Sequence, residues 1–500
     1  MAHITEIVSI RRSVLAELAK LTREGNLVAE IENSAFSLVS ENGSRYRCCV
    51  HKERAVLKER FNLAMGQEVD MPLAEAAQRT LAGEYAQMPI ISVLPEACDQ
   101  CPIDKFFVTN ACRNCIAHNC KNSCPKNAIM IVQNQAYIDK TKCVECGMCK
   151  KSCSYGAIIE VNRPCEGACE LKAIKAGSDR KAVIDYDKCV QCGGCKVACP
   201  FGAISDRTYL VQVLRAIDAG KQVHALLAPA FIGQFGAKVQ PGQVIAGLKK
   251  IGFSEVEEVS FAADIVTLEE AKEFAETVPQ ERPFMTTSCC PAFVGMVDKH
   301  LPQVKELVSS TVSPMIAAGK VVKERNPEAV TVFVGPCVAK KYEAEVKGQG
   351  VIDYVLTFEE LQGIFEGLEI DLSAMEAVPF QTTASRDGNI FARAGGVEQA
   401  VKDTAAQLAP DLEVCSQRKE GLGECRMQLL LMKAGKVPGN FFEGMACQGG
   451  CVGGPGSIAD YRVTSKLVDK FGGSAQVTTA PENEAAKEAA QQQKNWHHHA

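Results

Sequence analysis

Apolar positions in the opening stretch, MAHITEIVSIRRSVLAELAKLTREGN, recur at helical spacing among many charges, so the chain starts on an amphipathic helix and not on an apolar signal core. The same charge-rich helical pattern fills residues 1–95, including the basic segment RYRCCVHKERAVLKERF, and carries no chemical motif. Between 96 and 207 the periodicity gives way to dense cysteines. From 208 to 465 short apolar runs such as VHALLAPAF, VTVFVGPCV and YVLTF alternate with helical stretches, which predicts α/β units with partly parallel sheets. Residues 466–500 close the chain; the end, PENEAAKEAAQQQKNWHHHA, reads as a polar, mobile tail whose three histidines have no role.

Five hundred residues exceed what one core usually serves, which supports division into several domains. The balance of 46% apolar and 23% charged residues is that of a soluble globular protein, and a net charge of -5 argues against nucleic acid as a partner. No apolar run approaches the roughly 20 residues that span a bilayer, so a cytoplasmic protein without a membrane partner is expected. The 25 cysteines change this plain picture. In a large chain without a secretion signal they point to metal ligation and not to disulfides, and 16 of them fall between Cys98 and Cys199.

Those 16 are arranged as repeats. CVECGMCKKSCSYGAI (143–158) and CVQCGGCKVACPFGAI (189–204) share C-x2-C-x2-C-x3-C followed by Gly-Ala-Ile; CRNCIAHNCKNSCPKNAI (112–129) has two extra residues, and CEGACELKAI (165–174) keeps only the last two cysteines. Thiolates at i, i+3 and i+6 reach three corners of one cubane, and the fourth cysteine ligates the cluster of the partner repeat. A zinc ribbon would instead take its ligands as two C-x-x-C-like pairs. The region resembles a bacterial two-cluster ferredoxin, doubled.

Treating the repeats as two nested pairs, the inner clusters are expected on Cys143, Cys146, Cys149 with Cys199, and on Cys189, Cys192, Cys195 with Cys153. The outer two are expected on Cys112, Cys115, Cys120 with Cys169, and on Cys98, Cys101, Cys165 with Cys124, the upstream Cys98-x2-Cys101 pair replacing the ligands that the shortened repeat lacks. Four 4Fe-4S clusters then consume all 16 thiols, and a chain of clusters moving single electrons needs a chemical terminus.

Three later segments supply one: TTSCCPAFVG with Cys289 and Cys290, VGPCVAKKYEAE with Cys337, and FEGMACQGGCVGGPGS with Cys447 and Cys451. In this order they resemble the three signature motifs of the FeFe-hydrogenases, over roughly residues 96–460. The resemblance implies an α+β and α/β multidomain protein, with ferredoxin-like 4Fe-4S domains followed by a two-lobed α/β catalytic domain of mostly parallel sheets. It also implies an H-cluster, a 4Fe-4S cubane joined to a two-iron azadithiolate unit with carbonyl and cyanide ligands.

Cys290, Cys337, Cys447 and Cys451 match the cubane ligands, and Cys451 matches the bridging one. Lys340 matches the lysine on one cyanide, Ala228 and Pro229 the backbone lining the other, and Met445 a methionine packed on the two-iron unit. Cys289 matches the thiol that passes protons, with Glu270, Glu273 and Ser309 as the relay beyond it. The family's outermost arginine falls on Thr277.

The implied activity is reversible proton reduction in anaerobic hydrogen metabolism, with ferredoxin or flavodoxin as electron partner and separate maturation proteins building the two-iron unit. A hydrogen sensor of low turnover and a non-hydrogenase relative serving iron–sulfur assembly are the competing classes. Gly335, Phe293, Met315 and the GGPGS segment depart from the usual pattern and predict a pocket with fewer hydrogen-bond donors. Cys48, Cys49, Cys415 and Cys425 read as free thiols, and His118 and His224 as structural histidines.

Overall fold

A computed structural model of the chain describes residues 5–39, 45–379, 383–492 and 495–497. The N-terminal stretch forms helices Glu6–Glu24, Leu27–Leu38, Val50–Ala64 and Leu73–Ala82. Thr5 starts the first one, its hydroxyl accepting from the Val8 N–H, and Gly25 ends it at φ 73°, a left-handed turn that favours glycine. The buried Val14, Leu15 and Leu18 of this helix share one core with residues of the 208–465 region. The two backbones pack closely enough that a side chain at Gly367 would come within 2.2 Å of the Ala16 carbonyl.

Strands β1 (Ile91–Val93), β2 (Phe106–Val108), β3 (Ile129–Val132), β4 (Gln135–Ile138), β5 (Ile158–Glu160), β6 (Ile174–Ala176), β7 (Ala182–Ile184) and β8 (Ile204–Asp206) belong to the cysteine-rich region. They pair antiparallel in twos: β2 with β5, β3 with β4, β1 with β8, and β6 with β7. Two ferredoxin-like units result. The first runs unbroken from β2 to β5. The second is assembled from β1 and the segment from β6 to β8, so the first is an insertion within it.

The 208–465 region carries strands β9 (Val223–Leu227), β10 (Glu255–Glu258), β11 (Met285–Thr286), β12 (Val330–Gly335), β13 (Tyr354–Thr357), β14 (Ser416–Glu420) and β15 (Phe441–Met445). They form two parallel sheets, ordered β10-β9-β12-β13 and β11-β15-β14. Every residue of β9 and β15 is buried, which is why VHALL reads as a continuous apolar run and not as an alternation. The two lobes and their mostly parallel sheets agree with the expected fold class.

A buried ion network fastens the regions together. Lys196, 3% exposed, reaches Asp206 at 2.7 Å and Glu359 at 2.9 Å; Lys341 reaches Asp206 and Glu360 at 2.7 Å each; and Arg11 of the first helix reaches Glu359 at 2.8 Å.

The C-terminal segment departs from expectation. Instead of a mobile polar tail it forms helix Glu484–Gln492, and Trp496 is only 2% exposed. The Trp496 indole donates to the Ala490 carbonyl at 2.9 Å, and its own carbonyl accepts from the Val312 N–H at 2.8 Å. Buried Ala486 and Trp496 supply the apolar anchors that the polar composition hid. His497 is thereby placed on the protein, while His498 and His499 lie outside the described residues. Among the described residues no helix is long and apolar enough to cross a membrane.

Candidate active site and cluster sites

All 16 cysteines of the ferredoxin region are gathered into four sets, but not the four expected. Cys124 lies with Cys143, Cys146 and Cys149 around a small cavity, and Cys153 with Cys112, Cys115 and Cys120. Cys169 lies with Cys189, Cys192 and Cys195 around a cavity of 80 Å³, and Cys199 with Cys98, Cys101 and Cys165. Cys98 and Cys101 do lie with Cys165, whereas the fourth cysteine of every expected set is corrected. Adjacent repeats exchange it, not nested ones, because β2–β5 and β1–β8 each close one unit around its own two repeats.

The local backbone explains why four sequences of different length make the same cradle. Three residues after each fourth cysteine the chain turns left-handed, at Asn127, Gly156, Lys172 and Gly202, with φ from 49° to 59°. That turn aims an N–H back at the sulfur: Ala128 to Cys124 at 3.3 Å, Ala173 to Cys169 at 3.2 Å and Ala203 to Cys199 at 3.3 Å. Ala136 and Ala182 do the same for Cys112 and Cys98. Backbone donors on sulfur suit thiolate ligands of an iron–sulfur cluster, and all 25 cysteines are free of disulfides.

In the two-sheet region the motif cysteines follow the carboxyl ends of parallel strands, where open α/β sheets place their sites. Cys289 and Cys290 follow β11, Cys337 follows β12, and Cys447 and Cys451 follow β15. Cys290 caps helix Pro291–His300, so its sulfur stands at the positive end of a helix. A cavity of 60 Å³ joins Ala228, Pro229, Cys289, Met315, Cys337, Lys340, Met445 and Cys451; what accessibility Cys337 and Cys451 retain is to this internal space.

Burial pushes the Cys337 thiol up to about 12 and raises Cys290, Cys447 and Cys451 as well. Four largely enclosed thiols within electrostatic reach of one another become thiolates only beside a strong positive charge, so the donor set fits a cluster of irons. Cys192 of the ferredoxin region lies within electrostatic reach of Cys290 and Cys447, which makes the Cys169–Cys195 set the neighbour of this site.

Lys340, 7% exposed, donates to the Cys289 carbonyl at 3.2 Å and to Glu343 at 2.6 Å. Burial opposes its charge, but the Glu343 carboxylate outweighs that and leaves its pKa raised. An ammonium has three N–H donors, and the third remains for an anion in the cavity it lines. Glu343, itself 4% exposed, was not anticipated; its one signal is an acidic residue three positions after the motif lysine.

The expected departures find places here. A side chain at Gly335 would meet the Phe333 ring at 2.5 Å, and Phe293 fills the space over Gly444. Pro455 of GGPGS packs on Gly193 between two cluster cysteines. Met315 lines the cavity, and among its described lining side chains Lys340 alone carries an N–H donor.

Helix Val259–Thr277 brings the residues expected to relay protons alongside. Cys289 is 8% exposed and its thiol is raised well above normal, by burial first and then by the charge of Glu270. Glu270 is fully buried, and burial followed by the Glu273 charge pushes its pKa up to about 8 against the smaller opposing pull of the Ser288 N–H and the Ser309 hydroxyl.

Glu273 is the opposite case. Burial would raise it, but the Ser309 hydroxyl at 2.6 Å, the Ser310 N–H and the Arg282 guanidinium at 2.7 Å together hold it below the ordinary carboxylate range. Thr277, where the family's arginine falls, accepts from Arg282 Nε at 2.9 Å. The guanidinium is thus present, supplied from five residues further along, and sequence position alone did not reveal it. Cys425 is a buried thiol bonded to the Lys419 carbonyl, Cys48, Cys49 and Cys415 are exposed, and His118 and His224 lie against Asn114 and Glu257.

Comparison with known proteins agrees with this arrangement. Residues 221–455 match the model of the iron only hydrogenase large subunit, C-terminal domain, and residues 136–159 and 182–205 match a 4Fe-4S binding domain. Iron hydrogenase 1 of Clostridium pasteurianum is 32% identical over 375 residues, 64% of this chain and 64% of that protein, so the chain spans somewhat under two thirds of that relative's length. The periplasmic Fe hydrogenase large subunit of Nitratidesulfovibrio vulgaris is 30% identical over 374 residues, 64% of this chain and 85% of the relative. The nuclear prelamin A recognition factor of Homo sapiens is 30% identical over 282 residues, 46% of this chain and 61% of that protein. With the signature cysteines gathered within electrostatic reach of one another and a relative covered over most of its length, the chain belongs to the iron-only, or FeFe, hydrogenase family.

Proposed function

We propose that the protein catalyses reversible reduction of protons to dihydrogen at an H-cluster, with electrons passing through four 4Fe-4S clusters. The observation that carries this reading is the convergence of Cys337 and Cys451 with Cys289 and Lys340 on one cavity, with Cys290 and Cys447 within electrostatic reach of both ligand cysteines. When bound, the two-iron unit supplies the metal site at which the hydrogen–hydrogen bond forms or breaks. The chain's own residues do the rest. Lys340 offers an ammonium donor to an anionic ligand, which offsets the cost of burying it. The apolar walls at Ala228, Pro229, Met315 and Met445 exclude water. Cys289 holds the proton nearest the cavity, and neutral Glu270, charged Glu273 and the Ser309 hydroxyl between them form groups of graded proton affinity along one path.

Electrons are proposed to enter at the first ferredoxin unit, whose surface bears exposed Arg113, Lys121, Lys126 and Lys151 and a fully exposed Ile116. Exposed basic residues suit a soluble acidic carrier such as ferredoxin or flavodoxin. The free thiols suit a reducing compartment, in keeping with the cytoplasm.

The similarity to the nuclear prelamin A recognition factor favours a second reading, a family member that does not turn over hydrogen. Infrared spectroscopy of protein matured with the family's maturation proteins, together with a hydrogen assay using reduced carrier, separates the two. Carbonyl and cyanide bands with hydrogen turnover are expected. Bands without turnover would select the second reading, and an absence of bands would sink the H-cluster assignment.

A further inference from the structure

The relay residues stop at Glu273, and the C-terminal segment begins where they stop. The Ser310 hydroxyl lies 3.1 Å from Glu273 Oε1 and 2.8 Å from Nδ1 of His497, whose other ring nitrogen is 3.7 Å from Glu269 Oε2 at the surface. Thr311 and His497 also pair as a β-bridge. Trp496 fixes this placement: it is buried, and its carbonyl holds the Val312 N–H. Lys320 of helix Pro314–Arg325 donates to the neighbouring Asn495 carbonyl. A continuous hydrogen-bonded line thus runs from a buried carboxylate through one hydroxyl to an imidazole that is 42% exposed.

We infer that His497 is the outlet of the proton path, exchanging protons between Glu273 and solvent through the Ser310 hydroxyl. The inference rests on the proposed reading of Cys289, Glu270, Ser309 and Glu273 as that path, and it extends the path by two groups that no motif carries. The step is proton transfer only. Going outward, Glu273 gives its proton to the Ser310 oxygen as Ser310 gives its own to Nδ1, and Nε2 releases one to water or to Glu269; inward transfer reverses each move.

An imidazole suits the position because it titrates near neutrality and has two nitrogens, so it takes a proton on one side and releases one on the other. The charged groups on this line and beside it are Glu269, with Lys272 and Glu276 acting on it, Glu273 with Arg282, and Lys320 of the facing helix, which holds the Asn495 carbonyl two residues before the ring. The Ser309 hydroxyl, the Ser310 N–H and Arg282 together keep Glu273 ionised and able to receive a proton.

The test uses matured full-length protein and two readouts. The first is the rate of hydrogen–deuterium exchange at the buried Glu270 carboxyl, followed by its infrared carbonyl band on mixing with deuterated buffer and assigned by its loss in Glu270→Gln; it needs no turnover. The second is the pH profile of hydrogen evolution. In His497→Ala both exchange and turnover are expected to slow by about tenfold, below the usual general-acid range because water partly replaces the ring. The pH profile of turnover changes, and added imidazole restores the rate.

Ser310→Ala, which leaves the tail anchored by Trp496, is expected to reproduce the defect without imidazole rescue. If exchange, turnover and pH profile in both variants match the parent, the outlet is wrong and the proposed function stands. If the parent shows slow exchange on losing His497 but never turns over hydrogen, the proposed function falls and the outlet stands.

Discussion

At the scale of single residues, the doublet Cys289-Cys290 shows how neighbours divide labour. Cys290 caps a helix and faces the cluster cysteines, whereas Cys289, one residue earlier at the end of β11, turns toward the cavity and Glu270. Replacing Cys289 by Ala is therefore expected to keep the carbonyl and cyanide bands while lowering hydrogen turnover by ~10²-fold or more, the scale of a lost general acid. Unchanged turnover would remove Cys289 from the path. Glu270 makes a separate prediction about stability. Its folded pKa of about 8 lies above the unfolded value near ~4.3, so the folded state holds the extra proton between those pH values, and stability falls as pH rises from about 4.3 to about 8. Glu270→Gln removes that loss: its melting temperature should exceed the parent's at pH 8 and match it at pH 4.5, and equal differences at both would refute the buried neutral acid. These residues were legible because their motifs are contiguous. Arg282 was not, since it reaches Glu273 from beyond the end of the helix and no spacing rule fixes such a reach.

At the scale of elements, the repeats announced four cradles but not their pairing. Each repeat carries the same left-handed turn, and three of them the same N–H to sulfur bond, so the local code is nearly the same in all four and cannot say which two share clusters. Strand pairing decides it, because β2 with β5 and β1 with β8 close each unit around neighbouring repeats, and such non-local pairs leave little trace in sequence. The same limit applies at the C-terminus, where two apolar residues, Ala486 and Trp496, dock a segment whose composition reads as solvated. The pairing yields a sharp test. Cys124→Ser should alter the paramagnetic signal of the cluster held by Cys143, Cys146 and Cys149 and leave that of Cys98, Cys101 and Cys165 intact, while Cys199→Ser should do the reverse. Electron paramagnetic resonance of the reduced proteins, with iron analysis, reads both; a swapped outcome would restore the nested pairing.

At the scale of the whole molecule, the proposed function has electrons cross from the ferredoxin units to the cavity, and that demands a rigid joint. Lys196 follows Cys195 directly in the unit nearest the site, and it lies between Asp206 at the end of that unit and Glu359 of the catalytic region. Asp206 also binds Lys341, adjacent to Lys340, so one network ties the last cluster loop to the lysine of the cavity. Buried pairs of this kind add little net stability when intact, yet removing one partner strands a charge. Lys196→Met does so twice, although Asp206 retains Lys341 and Glu359 retains Arg11, which sets the expected cost at ~3 kcal/mol, the lower end of the usual range. Because the charges are buried, raising salt should recover little of it. Calorimetry of the cluster-loaded protein is expected to show the melt of the ferredoxin units separating from that of the catalytic region. A single transition shifted by less than ~1 kcal/mol would mean that core packing, and not this network, holds the joint.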